Sequence, residues 1–200
     1  MAKCTMNKAF AGSVAVLLAL AACHTAPAEA PPLAGATIGG PFALVDQDGR
    51  RFASDRLAGR YPVIYFGYTF CPDACPTAMQ VLAKGMRELA RRDPAKAAKV
   101  QPIFISIDPA RDTPLVLKQF VRAFSPTLIG LTGSEAEIAR VAKAYAAPYS
   151  KAPAAKGASG YLMNHATTPI LFGPDLKPIA LVPVDADATL VADTLAKWVP

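Results

Sequence analysis

The sequence predicts an α/β domain with a central mixed β-sheet flanked by helices. Three observations carry this. Apolar, β-branched and aromatic runs at 62–68 (PVIYFGY) and 100–107 read as strands covered on both faces. Stretches with apolar residues at helical spacing alternate with the strands, giving the order βαβαβα. Two short strands around a turn and a last helix then close the chain.

The elements follow in order. FALVDQDGRRF (42–52) places two short apolar runs around Asp46-Gln47-Asp48-Gly49 and predicts an N-terminal hairpin, after which Ser54 is expected to cap a brief helical turn. The central strand at 62–68 leads into a helix over 76–92, with Met79, Leu82, Met86 and Leu89 on one face and basic residues at its end, where the dipole favours them. After the strand at 100–107, Thr113-Pro114 starts a helix to about residue 124, with proline at its first position. Residues 128–131 form a strand, and Ser134 opens a helix to about residue 145. Residues 147–160 lack periodicity and read as a long loop. Strands at 168–172 and 179–182 flank the turn signal Gly173-Pro174-Asp175, and 189–198 is the closing helix. A strand feeding a cysteine pair at a helix start, with a late hairpin and final helix, is the thioredoxin arrangement. The fold class is therefore thioredoxin-like α/β with an N-terminal hairpin extension.

With 200 residues and 52% hydrophobic composition, the chain can bury one sizeable core. Residues 1–22 read as a signal peptide: Lys3 and Lys8, then an uncharged Ala/Leu/Val-rich run over 9–22, too short to cross a bilayer core of ~30 Å. The run ends in Leu20-Ala21-Ala22-Cys23, which resembles a bacterial lipobox with Cys23 as the lipidated residue. An uncleaved anchor or an ordinary cleaved leader would fit the same run, and each of the three exports the domain. Residues 23–41, rich in Ala, Pro and Gly, read as a flexible tether between a membrane anchor and a domain over 42–199.

Of the 21 basic residues, removal of Lys3 and Lys8 leaves 19 against 15 acidic ones, a formal +4. The arginines are scattered, with no stripe interleaved with aromatics, so nucleic acid is not an expected partner.

Four cysteines and two histidines are present. Cys4 belongs to the leader, Cys23 to the anchor and His24 to the tether. The domain keeps three thiol or imidazole side chains: Cys71, Cys75 and His165. A disulfide between Cys71 and Cys75 closes so small a loop that chain entropy gives it ~2 kcal/mol, against ~4 to 5 for a loop near 100 residues. That is a poor staple, and the position argues for chemistry. The pair follows a strand and opens a helix, whose N–H groups and positive dipole end are expected to favour thiolate. Pro72 and Pro76 stiffen the approach, and Asp73 reads as a turn or capping residue.

The C-x-x-x-C spacing differs from the C-x-x-C of disulfide oxidoreductases and leaves room for an ion. His165, in YLMNHATTP, precedes a late strand that a thioredoxin-like sheet brings beside the first helix's N-terminus. Two thiolates and an imidazole suit Cu(I), or Cu(II) with an added ligand. Structural zinc and iron–sulfur clusters want four ligands. Met163 could add a weak donor but reads as a packing residue.

FGYTFCPDACPTAM (66–79), SIDPARDTP (106–114), FSPTLIGLTGS (124–134), VAKAYAAPY (141–149) and the isolated His165 together resemble the Sco/SenC family, across about residues 42–199. The resemblance implies an exported thioredoxin-fold copper protein that assists assembly of cytochrome c oxidase. Its metal ligands would be Cys71, Cys75 and His165, with Cys71 and Cys75 a redox-active pair that forms a disulfide when oxidised. It implies a metallochaperone at the periplasmic face of a bacterial membrane. Its partners would be cytochrome c oxidase subunit II and other periplasmic copper carriers. The same pair could instead serve a thiol–disulfide oxidoreductase that keeps the oxidase's copper-site cysteines reduced, or a redox or copper sensor. Two departures stand out: Asn164 holds a position that is commonly acidic in such proteins, and the loop before it carries lysines and no acid. Pro169 lies near the position where thioredoxin folds hold a cis-proline. Asp108 and Arg111 read as structural residues that shape the site.

Overall fold

The computed structural model describes residues 29–153 and 160–200. The expected signal peptide, the expected lipidation site Cys23, His24 and the first part of the expected tether lie outside the described residues.

β1 (Ala43–Asp46) and β2 (Arg51–Ala53) form the N-terminal hairpin, followed by a 3-10 turn over Ser54–Leu57. The Ser54 hydroxyl does not cap that turn; it accepts the Phe42 N–H at 3.0 Å, tying the hairpin's two ends together. The core elements are β3 (Tyr61–Gly67), α1 (Ala74–Arg92), β4 (Val100–Ser106), α3 (Pro114–Phe124), β5 (Ile129–Thr132) and α4 (Glu135–Ala144). A short helix α2 (Pro94–Lys99), absent from the sequence expectation, sits before β4. Asp93 starts it by accepting the Lys96 N–H, and Pro94 occupies its first turn. The chain closes through β6 (Tyr149–Pro153), β7 (Tyr161–His165), β8 (Ile170–Phe172), β9 (Pro178–Leu181) and α5 (Ala188–Trp198).

Seven strands form one mixed sheet in the order β2-β1-β5-β4-β3-β8-β9, with β3, β4 and β5 parallel and the flanking pairs antiparallel. β3 and β4 are buried along almost their whole length, as their unbroken apolar runs require. α1 and α5 pack against each other, and Gly85 makes this possible: a Cβ there would stand 2.4 Å from Val191 Cγ1. Ser134 opens α4 through a capping box with Glu137, and Thr113 caps α3.

Two expectations are corrected. Residues 147–160 are not simply a loop, because β6 pairs antiparallel with β7 in a separate two-stranded sheet, Tyr149 opposite His165. Residues 23–41 are not flexible throughout. Leu33 donates its N–H to the Ile179 carbonyl, Gly39 to that of Ala144, and the Tyr145 hydroxyl reaches the Gly40 carbonyl at 2.6 Å. Backbone groups make most of these contacts, so a composition poor in apolar side chains does not prevent docking. The Thr168–Pro169 bond is trans. Among the described residues, no helix is long and apolar enough to cross a membrane.

Candidate metal centre

β3 ends at Gly67, and the chain turns through Tyr68 to Asp73 before α1 begins at Ala74. Cys75 therefore lies in the first turn of α1, while Cys71 precedes the helix. The Cys71 Sγ accepts the Cys75 N–H at 3.3 Å, taking the place of an N-cap oxygen. Asp73 occupies the cap position but makes no side-chain cap bond; its carboxylate takes the Thr77 hydroxyl. Cys75 is fully buried and Cys71 half-buried, and both thiols are free.

Gly67 sets how closely the helix can approach. A Cβ on it would lie 2.6 Å from Tyr65 Cε1, 2.9 Å from Cys75 Sγ and 3.0 Å from Phe104 Cε2. Nothing in PVIYFGY marks this glycine as part of the site, since its role is close approach.

His165 closes the site from the end of β7. Its Nε2 is 3.4 Å from Cys75 Sγ, and its Nδ1 is 2.8 Å from the Ala166 carbonyl oxygen. A carbonyl only accepts, so Nδ1 carries the proton and Nε2 presents its lone pair to the sulfurs. The ring stands edge-on to Tyr65 and Tyr68, with centroids 5.9 and 5.8 Å away. The ligand atoms of Cys71, Cys75 and His165 all lie within 4.8 Å of one another. Two ligands each about 2.3 Å from one ion are at most about 4.6 Å apart, so a slight side-chain rotation lets all three touch one ion. Met163, two residues earlier, is buried in the core.

Burial pushes the Cys75 thiol up to about 12, with the neighbouring Cys71 adding to the rise and the Tyr68 backbone opposing it. The expected thiolate preference at a helix N-terminus is thus outweighed at Cys75 by desolvation. The neutral thiol is the favoured form of this sulfur in the metal-free fold.

One cluster joins the two halves of the site. Asp108, buried after β4, accepts the Arg111 Nε–H on one oxygen and the Tyr161 hydroxyl, at 2.6 Å, on the other. Arg111 also donates to the Tyr161 carbonyl at 3.0 Å, lies 3.7 Å over the Tyr161 ring and 4.9 Å from that of Phe70. The DPARDTP segment thereby holds β7, which carries His165, against the loop that carries Cys71. Asp112 in the same segment is fully buried and anchors that loop, accepting the Thr69 N–H and hydroxyl and the Ser106 hydroxyl. Burial raises its pKa, and those hydrogen bonds oppose the rise. Sequence reasoning passed over Asp112 and Tyr161; an acid between a buried strand and a capped helix was the available signal.

The family model described as SCO1/SenC matches residues 30–200. This chain belongs to the SCO1/SenC family. Protein SCO1 homolog 1, mitochondrial, of Arabidopsis thaliana is 36% identical over 169 residues, covering 84% of this chain and 49% of the relative. Protein SenC of Rhodobacter capsulatus is 38% identical over 163 residues, covering 81% of this chain and 71% of the relative. The chain spans about half the length of several SCO1/SenC relatives that it matches. The structure of Bradyrhizobium japonicum ScoI with copper bound superposes with a TM-score of 0.71 at 37% identity, covering 80% of this chain and 99% of that one. The SCO1/SenC architecture and the thioredoxin-like fold expected from the sequence are the same arrangement.

Proposed function

We propose that this protein is an exported, membrane-tethered copper chaperone. It would bind copper through Cys71, Cys75 and His165 and deliver it to the binuclear copper centre of cytochrome c oxidase subunit II. The observation that carries the reading is the convergence of two free thiols and one imidazole within 4.8 Å, a soft three-donor set. Family membership and the copper in the similar ScoI structure support it. Copper is cargo here, so the site has to release it as well as bind it. Cys71 is the more exposed sulfur and is where an incoming ligand first competes, while buried Cys75 holds on longest. Lipidation at Cys23 and a place at the periplasmic face belong to the same proposal.

Anaerobic Cu(I) titration of the reduced full chain in detergent tests this. One copper per chain is expected, lost in Cys71→Ser and in Cys75→Ser and weakened at least tenfold in His165→Ala. Undiminished binding by His165→Ala removes the third ligand and with it the chaperone reading.

The half-buried/buried asymmetry of the thiols supports a second reading, thiol–disulfide exchange. Cys71 would attack a client disulfide and Cys75 would resolve the mixed disulfide, two electrons and two protons passing to the client. The high pKa of Cys75 makes it a slow resolving thiol, which places this reading second.

A further inference from the structure

One hydroxyl beside the metal site is unexplained. Tyr65, the residue two before Gly67 on β3, has no exposed surface, and its hydroxyl has no hydrogen-bond partner among the described residues. A buried hydroxyl without a partner costs about 1–3 kcal/mol, and native structures keep few of them without a reason. A phenylalanine would fill the same space at no such cost, with the ring stacked on Phe104 at 5.9 Å as it is now.

The ring's position supplies the reason. A Cβ on Gly67 would touch both Tyr65 Cε1 and Cys75 Sγ, at 2.6 and 2.9 Å, so these two atoms are no farther apart than the sum of those lengths. Cε1 adjoins the carbon that bears the hydroxyl. The ring also stands edge-on to His165. The hydroxyl already lies beside the Cys75 sulfur and interacts weakly with it, but the pair falls short of hydrogen-bond geometry. A neutral thiol is a weak acceptor, whereas a thiolate is a strong one.

We propose that the Tyr65 hydroxyl is a positioning donor held in reserve for the Cys75 sulfur, completing its hydrogen bond when copper binds that sulfur and displaces the thiol proton into solvent. The bond stabilises the thiolate, lowers its electron donation and sets how tightly copper is held. Its cost in the metal-free protein is the unpartnered hydroxyl, so the same group that strengthens the loaded state weakens the empty one. This rests on the copper reading above.

Tyr65→Phe tests it, in the full chain, beside the parent. Cu(I) affinity is expected to fall about tenfold, within the 10- to 100-fold that loss of an outer hydrogen bond to a ligand typically costs. The sulfur-to-Cu(II) charge-transfer band is expected to move to longer wavelength and the Cu(II)/Cu(I) potential to fall, because the unbonded thiolate donates more strongly. The metal-free variant is expected to melt at the parent's temperature or above. A metal-independent arm follows alkylation of the peptide carrying Cys75 by mass spectrometry across alkaline pH. Its midpoint is expected to rise by about one pH unit in Tyr65→Phe, the equivalent of one charge-assisted hydrogen bond. Unchanged affinity, band and alkylation midpoint overturn the proposal, as does a lower melting temperature of the metal-free variant, which would give the hydroxyl a structural partner. If the parent takes up no Cu(I), the copper reading fails, and the alkylation midpoint decides the role of Tyr65 by itself.

Discussion

The two halves of the metal site are built in different ways. The cysteine half belongs to the main sheet. Cys75 is fully buried, Gly67 admits it against β3, and β3 is paired to β4 through seven consecutive residue pairs. The histidine half belongs to a separate ribbon. β6 and β7 pair only with each other, and Ser150, Lys151 and Asn164 face solvent. A two-stranded hairpin is marginal alone, so the place of His165 depends on what ties the ribbon down, chiefly Asp108, Arg111 and Tyr161. The thiols are fixed by the scaffold, while the imidazole is held by a removable tie. If the site hands on copper as proposed, the ligand on the less firmly paired element is the one placed to let go first.

Four measurements would break or sharpen this contrast, the largest effect first. The raised pKa of Cys75 means the folded state holds a proton that the unfolded chain releases near 9.0. The stability that it contributes is complete below pH 9 and is lost as pH rises towards about 12. Urea unfolding of the reduced metal-free protein should show this loss, on the order of 4 kcal/mol, as the difference between parent and Cys75→Ser, since buried tyrosines also titrate there. An identical pH profile in both would mean that Cys75 is not desolvated. Next, Gly67→Ala forces a methyl against Tyr65 and Cys75 and should cost about 1–3 kcal/mol, a melting shift of several degrees in a domain of this size. An unshifted melt would show the cysteine half to be looser than described.

Tyr161→Phe removes the hydroxyl that Asp108 accepts and should cost about 1–2 kcal/mol. The loss should be local: amide exchange should quicken in β6 and β7 and stay unchanged in β3 and β4, with Cu(I) affinity down several-fold. Uniform quickening would merge the two halves into one cooperative unit. Smallest is Ser150→Ala, one strand away from His165, where Asn164 makes only a 3.4 Å contact with the serine hydroxyl. Stability should move by less than about 0.5 kcal/mol and copper affinity not at all.

Those two halves also differ in how far the sequence discloses them. β3 and β4 announce themselves by unbroken apolar runs, and α3 and α4 by their caps. Cys71, Cys75 and His165 stand out because the domain has no other thiol or imidazole. The β6–β7 ribbon was hidden because Ser150 to Pro153 carry no alternation and pair with residues well ahead in the chain. Tyr65 and Gly67 were hidden for the opposite reason: inside PVIYFGY they look like any other residues of a buried strand. Only the packing shows that one meets a sulfur and the other makes room for it.

The docking of residues 33–40 on the domain has a consequence for reach. If Cys23 is fixed in a bilayer, a leash free as far as residue 42 would extend roughly 65 Å at full stretch, at ~3.3–3.6 Å per residue. With Leu33 hydrogen-bonded to Ile179, a leash free only from 23 to 33 would extend roughly 35 Å at most, and less while Glu29 keeps its ion pair with Lys197. On the proposed chaperone reading, the domain would then patrol a shallow layer above the membrane, about its own diameter in depth, and a client's copper site would have to stand within that layer to be served.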